Sequence, residues 1–275
     1  MRQKKSLAKR VRTIFGAKII NEALPSPNNP YLRQLDFWNP SQHKPKILVV
    51  GAGGIGSWVV VQLAKLGVSR ITVYDADHVS PHNLSTTVYR PADIGKLKVE
   101  ALAGTIRRMG LPTDIRTRPV LYHGQSLRGF DVVVSAVDSM AGRSLIFREA
   151  RRQRVPFYVD GRIGGENFRS YSIRPNSKKD RRLYKNTIVS DEKASELPCT
   201  GQAIVQVNTI VSGLMVNSVV QWITKRKYNP EIIAHVGSLS VVIAPPQGGR
   251  RVQSKVRTRR EEKLRRGRTP HRTHS

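Results

Sequence analysis

The sequence has almost none of the cysteine that small or secreted proteins use to stabilise their folds. It contains one cysteine in 275 residues, which excludes an intramolecular disulfide and a cysteine-rich zinc site. This composition is typical of a reducing, cytoplasmic compartment. A chain of this length buries enough apolar surface to be stable without such cross-links.

Acidic residues are also scarce. The chain has 19 Asp and Glu against 48 Lys and Arg, for a formal net charge of +29, and the excess is concentrated at the two ends. We expect residues 1–30 to form a basic N-terminal segment. The Arg-rich tail, 248–275, has too few apolar residues to fold and is predicted to be disordered. Ends of this charge attract polyanions, so contact with nucleic acid such as tRNA is a hypothesis.

No apolar run is long and clean enough to suggest a membrane span. The longest, residues 203–223, carries polar side chains that include Gln206, Asn208 and Ser212, which are costly in hydrocarbon. The pattern instead predicts a buried helix, either in the core or at a subunit interface, and no contact with a membrane.

Residues 31–247 are predicted to form one domain. Short β-branched runs such as KILVV, ITVYD and DVVVSAVD alternate with helical patterns such as SWVVVQLAKLG. This alternation predicts an α/β fold with a Rossmann-like, doubly wound and mostly parallel sheet. A return strand at FRSYSIRP predicts an antiparallel extension. The polar stretch 175–198 is interpreted as a loop.

A glycine motif follows the first predicted strand. In GAGGIG, the residues Gly51, Gly53 and Gly56 match G-x-G-x-x-G between a strand and a helix, an arrangement that lets the backbone approach a phosphate at a helix N-terminus. The next strand ends in Asp75, where a carboxylate would bind ribose hydroxyls and repel a 2′-phosphate. NADP is therefore disfavoured, whereas NAD and ATP both remain.

Four further segments carry a family resemblance: YLRQLDFW (31–38), DADHVSPHNL (75–84), GKLKVEA (95–101) and SAVDSMAGR (135–143). Together with the glycine motif they resemble the ThiF/MoeB/HesA family, the bacterial relatives of ubiquitin-activating enzymes, over roughly residues 31–225. The resemblance implies a homodimeric, ATP- and Mg²⁺-dependent adenylyltransferase. Such an enzyme forms an acyl adenylate on the C-terminal carboxylate of a ubiquitin-like or sulfur-carrier protein.

The resemblance also implies residue roles. Asp75 would hold the ribose, and Asn83 would donate a hydrogen bond near the phosphates. Lys98 and Arg33 would supply positive charge, with Arg33 often reaching the nucleotide of the partner protomer. The remaining cradle and metal positions are Gly51, Gly53, Gly54 and Gly56 for the phosphates and Asp138 for Mg²⁺.

The chain departs from the family pattern in several places. Thr86 stands where the family has an arginine that contacts the phosphates, and Arg90, four residues on, is a candidate replacement. Lys96 would take the lysine role if the register were shifted. The paired CxxC motifs are absent, so no zinc is expected. Cys199 has two interpretations, an acceptor of the activated acyl group or an inert small side chain.

Other interpretations stay open. Asp160 and Arg162, at the end of a further predicted strand, would either guide the substrate tail or form an internal ion pair. A tRNA-modifying dehydratase of the same family is the first alternative function, which the net charge favours. A nucleic-acid-binding protein with a vestigial nucleotide pocket is the second, and an NAD dehydrogenase ranks last.

Overall fold

The β-branched runs in the middle of the chain form the strands of one large sheet. The computed structural model describes residues 29–192, 204–245 and 247–248, so the predicted basic ends lie almost wholly outside the described residues. The strands are β1 (Lys46–Val50), β2 (Arg70–Tyr74), β3 (Asp114–Arg118), β4 (Val132–Ser135), β5 (Phe157–Gly164), β6 (Asn167–Ile173), β7 (Lys227–Tyr228), β8 (Glu231–His235), β9 (Ser240–Ile243) and β10 (Gln247–Gly248).

Helices alternate with the strands through most of the chain. They are α1 (Gly56–Lys65), α2 (Lys98–Arg108), α3 (Met140–Arg152), α4 (Lys178–Lys185) and α5 (Val205–Ile223). Short 3₁₀ turns lie at Leu32–Gln34, Pro81–Asn83 and Pro91–Asp93.

The eight-stranded sheet has the order β3-β2-β1-β4-β5-β6-β8-β9. The pairs from β3 to β5 are parallel, and those from β5 to β9 are antiparallel. The predicted doubly wound sheet and its antiparallel extension are therefore confirmed. Because β1 pairs with both β2 and β4, the winding direction reverses between β1 and β4, and a crevice opens where these two strands end.

Each face of the sheet is covered by its own group of helices. The core on one face is built with apolar residues of α1, α2 and α5. The core on the other face is built with α3 and α4, through Ile146, Phe147 and Tyr184. The central strands are buried on both faces, which explains their continuous apolar sequences.

Helix α5 is the predicted buried helix. Its Met215 packs against Gly161 of β5, where any side chain would collide with the methionine sulfur. Two of its buried polar side chains donate to carbonyl oxygens outside the helix, Asn208 to Thr86 at 3.0 Å and the Ser212 hydroxyl to Ile55 at 3.0 Å. Of the helices in the described ranges, none has the length and apolar character to cross a membrane.

The interpretation of residues 175–198 as a loop was wrong for residues 175–192, because they contain α4, and residues 193–198 lie outside the described residues. The Ser177 hydroxyl accepts a hydrogen bond from the Asp180 amide at 3.3 Å and caps the helix. Asp180 and Tyr184, one turn apart, are both fully buried. The sequence KKDRRLYK concealed this helix because an ion-paired aspartate, rather than a second apolar residue, occupies half of its inward stripe.

An aromatic cluster joins the parallel sheet to the last helix. The Phe157 ring in β5 stacks on Trp222 of α5 with a centroid distance of 4.9 Å. The Tyr228 ring of β7 packs in an edge orientation against the same Phe157 ring, with a centroid distance of 5.0 Å. Burial raises the pKa of the Tyr228 phenol to about 12, so this hydroxyl is neutral at physiological pH.

Truncating Phe157 tests whether this cluster stabilises the domain. Phe157→Ala should lower the free energy of unfolding by about 3–5 kcal/mol, because it leaves a cavity between β5 and α5. The measurement is urea denaturation. Phe37→Ala is the control, since that ring is 57% exposed, and it should cost less than about 1 kcal/mol. If the two variants lost the same free energy of unfolding, the aromatic cluster around Phe157 would have no special role in stabilising the domain.

Candidate functional site

The glycine turn after β1 is packed against the end of β4. Gly51 has a φ of +96°, and a Cβ at this position would lie 2.5 Å from the carbonyl oxygen of Ala136. A Cβ on Gly56 would collide with the carbonyl oxygen of Gly51. Both positions therefore require glycine, and the turn directs the N-terminus of α1 at the crevice between β1 and β4.

A cleft of about 460 Å³ lies at this crevice, within the range of about 300–1,000 Å³ found for small-molecule sites. The polar and glycine residues that line it are Gly51, Gly53, Gly54, Asp75, Asp77, Lys98, Asp138, Ser139, Gly142 and Arg143.

Asp75 organises the cleft as well as lining it. One carboxylate oxygen accepts a hydrogen bond from the Ala52 amide at 2.6 Å, and the other accepts one from the Asp77 amide at 2.8 Å. These bonds fix the glycine turn to the loop after β2. A carboxylate has about four lone-pair directions, so capacity remains for ribose hydroxyls.

Lys98 begins α2 and extends into the cleft. Its side chain is 11% exposed, and its ammonium lies 2.7 Å from the Asp77 carboxylate. Its backbone amide also donates to the Asp77 carbonyl oxygen at 2.8 Å. Lys96 is different, since it is half exposed, pairs with Asp93 at 3.1 Å and does not line the cleft. The structure thus brings Lys98, and not Lys96, to the cleft.

Tyr89 links the glycine turn after β1 to the start of α2. Its hydroxyl is 2.6 Å from the carbonyl oxygen of Ala52 and 3.2 Å from that of Lys98. Burial, reinforced by the charges of Asp75 and Asp93, raises the pKa of the phenol. The hydroxyl therefore remains a donor that holds the glycine turn against the start of α2.

Asp138 follows β4 and lies on the exposed side of the cleft. No group of three or more potential metal ligands is found among the described residues. Mg²⁺ is nevertheless often held by one or two carboxylates together with substrate phosphates. An isolated Asp138 therefore suits a metal ion that arrives with a nucleotide better than a site built from protein ligands alone.

Two predicted site residues lie away from the cleft lining. The Asn83 carboxamide oxygen accepts a hydrogen bond from the Ser80 amide at 2.9 Å, within a 3₁₀ turn. Arg33 is exposed in the 31–38 segment. The neighbouring Gln34 and Trp38 side chains donate to the Leu66 carbonyl oxygen just after α1. Because α1 starts at the cleft and runs away from it, Arg33 lies near the opposite edge of the sheet.

Thr86, which stands where the family has an arginine, is bonded through its main-chain carbonyl. The Thr86 carbonyl oxygen accepts hydrogen bonds from the Trp58 indole at 3.1 Å and from the Asn208 carboxamide at 3.0 Å. Arg90 pairs with Asp93 at 3.4 Å and does not line the cleft. Cys199 lies outside the described residues, so its two interpretations stay predictions.

Asn208 was not assigned a role from sequence. It is fully buried and packs against the glycine turn, where a Cβ on Gly54 would lie 2.6 Å from its amide nitrogen. The available signal was a polar residue within the apolar run 203–223. The structure shows that its carboxamide donates to the Thr86 carbonyl oxygen.

A buried ion network supports the cleft from beneath. The Asp160 carboxylate in β5 is bound by the guanidinium groups of Arg143 and Arg162 and by the hydroxyl of Tyr184. Arg143 also donates to the carbonyl oxygens of Val137 and Gly161, and it lines the cleft. The structure thus forms the internal ion pair, one of the two interpretations of Asp160 and Arg162.

Arg143 belongs to this network and also lines the cleft. The sequence motif SAVDSMAGR contains this residue but did not predict a role for it. Burial, with a smaller effect of the Asp160 charge, raises the pKa of the Tyr184 hydroxyl well above its usual value. This hydroxyl therefore remains a proton donor to the carboxylate.

A glycine turn and a cleft at the reversal point of a doubly wound sheet define a Rossmann-type nucleotide-binding protein. Within that class the chain belongs to the ThiF family, whose sequence model matches residues 33–241. The family resemblance carried by the motifs is thereby confirmed.

Curated relatives come from different branches of the family. The tRNA threonylcarbamoyladenosine dehydratase of Escherichia coli is 32% identical over 127 residues, which cover 44% of this chain and 47% of that protein. The SAMP-activating enzyme E1 of Haloferax volcanii is 34% identical over 125 residues, which cover 43% and 45%. The chain spans about half the length of the curated relatives it matches.

Solved structures share the fold over most of the chain. Escherichia coli MccB, in a structure with ATP, has a TM-score of 0.69 at 18% identity and is covered over 80% of its length by 90% of this chain. PaaA has a TM-score of 0.63 at 15% identity, with 83% of its chain and 90% of this one covered. At these identities the likeness establishes the fold.

Neutralising Asp160 tests the buried network. Asp160→Asn should lower the free energy of unfolding by about 3–5 kcal/mol, because two arginines stay buried without a counter-charge. Thermal or urea unfolding measures this. The control is Asp114→Asn, whose partner Arg116 is 63% exposed, and its cost should stay below about 1 kcal/mol. A variant as stable as the native chain would rule out a supporting role for the network.

Proposed function

We propose that the protein is an ATP-dependent adenylyltransferase that activates a carboxylate as an acyl adenylate. The observation that carries this proposal is the convergence of Lys98 and Asp138 on the cleft that also contains the glycine turn and Asp75. A cation and a hard oxygen ligand beside a phosphate cradle suit a nucleotide that reacts at phosphorus. Neither group is needed for hydride transfer.

The nucleotide would be oriented by the two strand ends. Asp75 would bind the ribose hydroxyls with the lone pairs that the Ala52 and Asp77 amides leave available. Gly53 and Gly54 line the cleft next to the N-terminus of α1, whose positive dipole end favours phosphate. In this orientation the α-phosphate would lie near Lys98 and Asp138.

In the reaction, an oxygen of the substrate carboxylate attacks the α-phosphorus. The bond from that phosphorus to the bridging oxygen breaks, and the electron pair leaves with pyrophosphate. An ionised carboxylate is already a nucleophile, so no protein base is required. Lys98 would stabilise the charge that develops on the phosphates, and its contact with Asp77 at 2.7 Å holds the ammonium in position.

Asp138 is the residue that would hold Mg²⁺ with the phosphates. A bound Mg²⁺ supplies charge neutralisation for the phosphate oxygens. Asp138 is held at the cleft by the turn that leads into α3, whose first turn is capped when the Ser139 hydroxyl accepts from the Gly142 amide at 3.1 Å.

The acceptor we propose is the C-terminal carboxylate of a ubiquitin-like or sulfur-carrier protein. Support comes from relatives named SAMP-activating enzyme E1 and adenylyltransferase and sulfurtransferase MOCS3. A homodimer is part of this proposal, because Arg33 lies far from its own cleft and would serve only that of a partner protomer. After adenylation, the Cys199 thiolate would attack the acyl carbon to form a thioester, and the bond from that carbon to the phosphate oxygen would break to release AMP.

A tRNA-modifying dehydratase is the second candidate. It is favoured by the relatives from Escherichia coli and Haemophilus influenzae, both named tRNA threonylcarbamoyladenosine dehydratase, and by the net charge of +29. The cleft chemistry is common to both candidates because each begins with activation by ATP. They differ in whether the acceptor is a protein or tRNA.

Exchange of labelled pyrophosphate into ATP tests adenylation. Lys98→Ala should reduce acceptor-dependent exchange by about 100-fold or more, since it removes a fixed cation from the developing charge. Asp138→Ala should reduce it similarly and raise the Mg²⁺ concentration needed. Lys96→Ala is the matched control, because Lys96 pairs with Asp93 away from the cleft, and its exchange should stay within about twofold of native.

The acceptor is identified in the same assay. Exchange that needs a carrier protein supports the first candidate, and exchange that needs tRNA supports the second. Absence of both exchange and ATP binding would reject adenylation and leave a vestigial pocket. If Lys96→Ala and Lys98→Ala reduced the exchange rate equally, Lys98 would have no specific role in stabilising the phosphate charge.

A further inference from the structure

Helices α3 and α4 carry exposed basic side chains that the proposed adenylation does not use. The two helices contact each other through the Phe147 and Tyr184 rings, whose centroids are 4.4 Å apart. We call their outer surface the basic face, and its exposed cations are Arg148, Arg151, Lys178, Lys179, Arg182 and Lys185.

The cations of α4 lie in a row. Asp180 and Tyr184 point inward and are fully buried, so Lys178, Arg182 and Lys185 share the opposite side at helical spacing. With a rise of about 1.5 Å per residue, this row is about 10 Å long. Three positive charges therefore follow one line on the surface.

The acidic residues of the two helices do not interrupt this surface. Glu149 is buried, and its carboxylate is held by Arg152 at 2.6 Å. Asp180 is buried and bound by Arg174 at 3.0 Å. Within α3 and α4 the acidic side chains are therefore buried, and the nearest exposed acidic residues along the chain lie before α3 and after α4: Asp138, Asp191 and Glu192. Five of its cations form no ion pair within the part of the chain that the structure describes: Arg151, Lys178, Lys179, Arg182 and Lys185.

The face lacks the apolar anchors of a protein interface. Among the described residues, the exposed large hydrophobic side chains lie elsewhere, for example on β9 and in the loop after β3. Protein interfaces usually bury aromatic or aliphatic side chains at their centre. Binding here would depend on charge, which is how proteins bind a nucleic-acid backbone.

The basic face adjoins the cleft. Helix α3 begins at Met140, directly after the cleft residues Asp138 and Ser139. The chain that leaves α4 returns to the same point, where the Asp191 carboxylate accepts hydrogen bonds from the Met140 and Ala141 amides. Since α3 has 13 residues, its far end is about 20 Å from the cleft.

We propose that the basic face binds the phosphate backbone of a nucleic acid, and that it does so independently of the basic ends of the chain. This inference goes beyond the proposed adenylation and holds whether or not that reaction occurs. A nucleic acid on this face would extend toward the cleft along α3 and α4.

Fluorescence anisotropy with the full-length protein tests the proposal. The probes are an RNA hairpin, a DNA hairpin of the same sequence and a polyglutamate peptide of matched charge. The variant Lys178→Gln/Arg182→Gln/Lys185→Gln should bind RNA about tenfold more weakly. The slope of log affinity against log salt should become shallower by about two to three, because up to three phosphate contacts are lost.

The matched control removes three charges from the opposite side of the sheet. Lys65→Gln/Arg70→Gln/Arg107→Gln alters exposed residues on α1, β2 and α2, and its RNA affinity should stay within about twofold of native. Equal losses in the two triple variants would overturn the proposal, since they would show a general effect of net charge.

The other probes identify the partner. If the α4 triple variant loses affinity for both the RNA and the DNA hairpin, the basic face binds the phosphate backbone of either nucleic acid. If it loses affinity for only one hairpin, that nucleic acid is the partner. A loss of polyglutamate binding as large as that of RNA would overturn the proposal in favour of an acidic protein. Thermal unfolding of the α4 triple variant and its affinity for ATP should match native, because neither depends on the basic face, so a folding defect or a damaged cleft is distinguishable from a loss of nucleic-acid binding.

Discussion

Only a hydrogen atom fits on the α-carbon of residue 51, because the turn after β1 passes against the carbonyl of Ala136 at the end of β4. This close approach forms the crevice at the reversal point of the sheet. Asp75 then fixes the turn from the β2 side by its bond to the Ala52 amide. The start of α1, the cleft and the position of Lys98 all depend on this packing of three strand ends.

Charge inside the domain has a structural role distinct from charge on its surface. Asp160 sits beneath the cleft between two buried arginines, of which Arg143 reaches the cleft lining. A buried network of this kind favours one arrangement of β4, β5 and α3, since an unpaired charge there is costly. On the outer surface of α3 and α4, five cations pair with no carboxylate in the described ranges and face solvent: Arg151, Lys178, Lys179, Arg182 and Lys185.

Much of the site could be predicted from local sequence. Gly51, Asp75, Lys98 and Asp138 each follow or begin a regular element, and parallel strands bring such positions to one edge of the sheet. Asn83 is not among the residues that line the cleft, and Arg33 lies near the C-terminal end of α1. The order of motifs along the chain does not specify which way a connecting segment turns. Helix α4 was missed because a buried aspartate, satisfied by Arg174 and Ser177, replaces an apolar residue in its inward stripe.

The sequence by itself determined the alternation of strands and helices, the glycine turn and the identity of the residues available for nucleotide chemistry, since these follow from backbone sterics and hydrophobic period. Only the tertiary structure decided which charges are used internally and which remain for a partner. Lys96 and Lys98 differ by two positions, yet one pairs with Asp93 and the other enters the cleft. Long-range contacts make that choice, because the energy of a charge depends on what lies within a few ångströms of it in space.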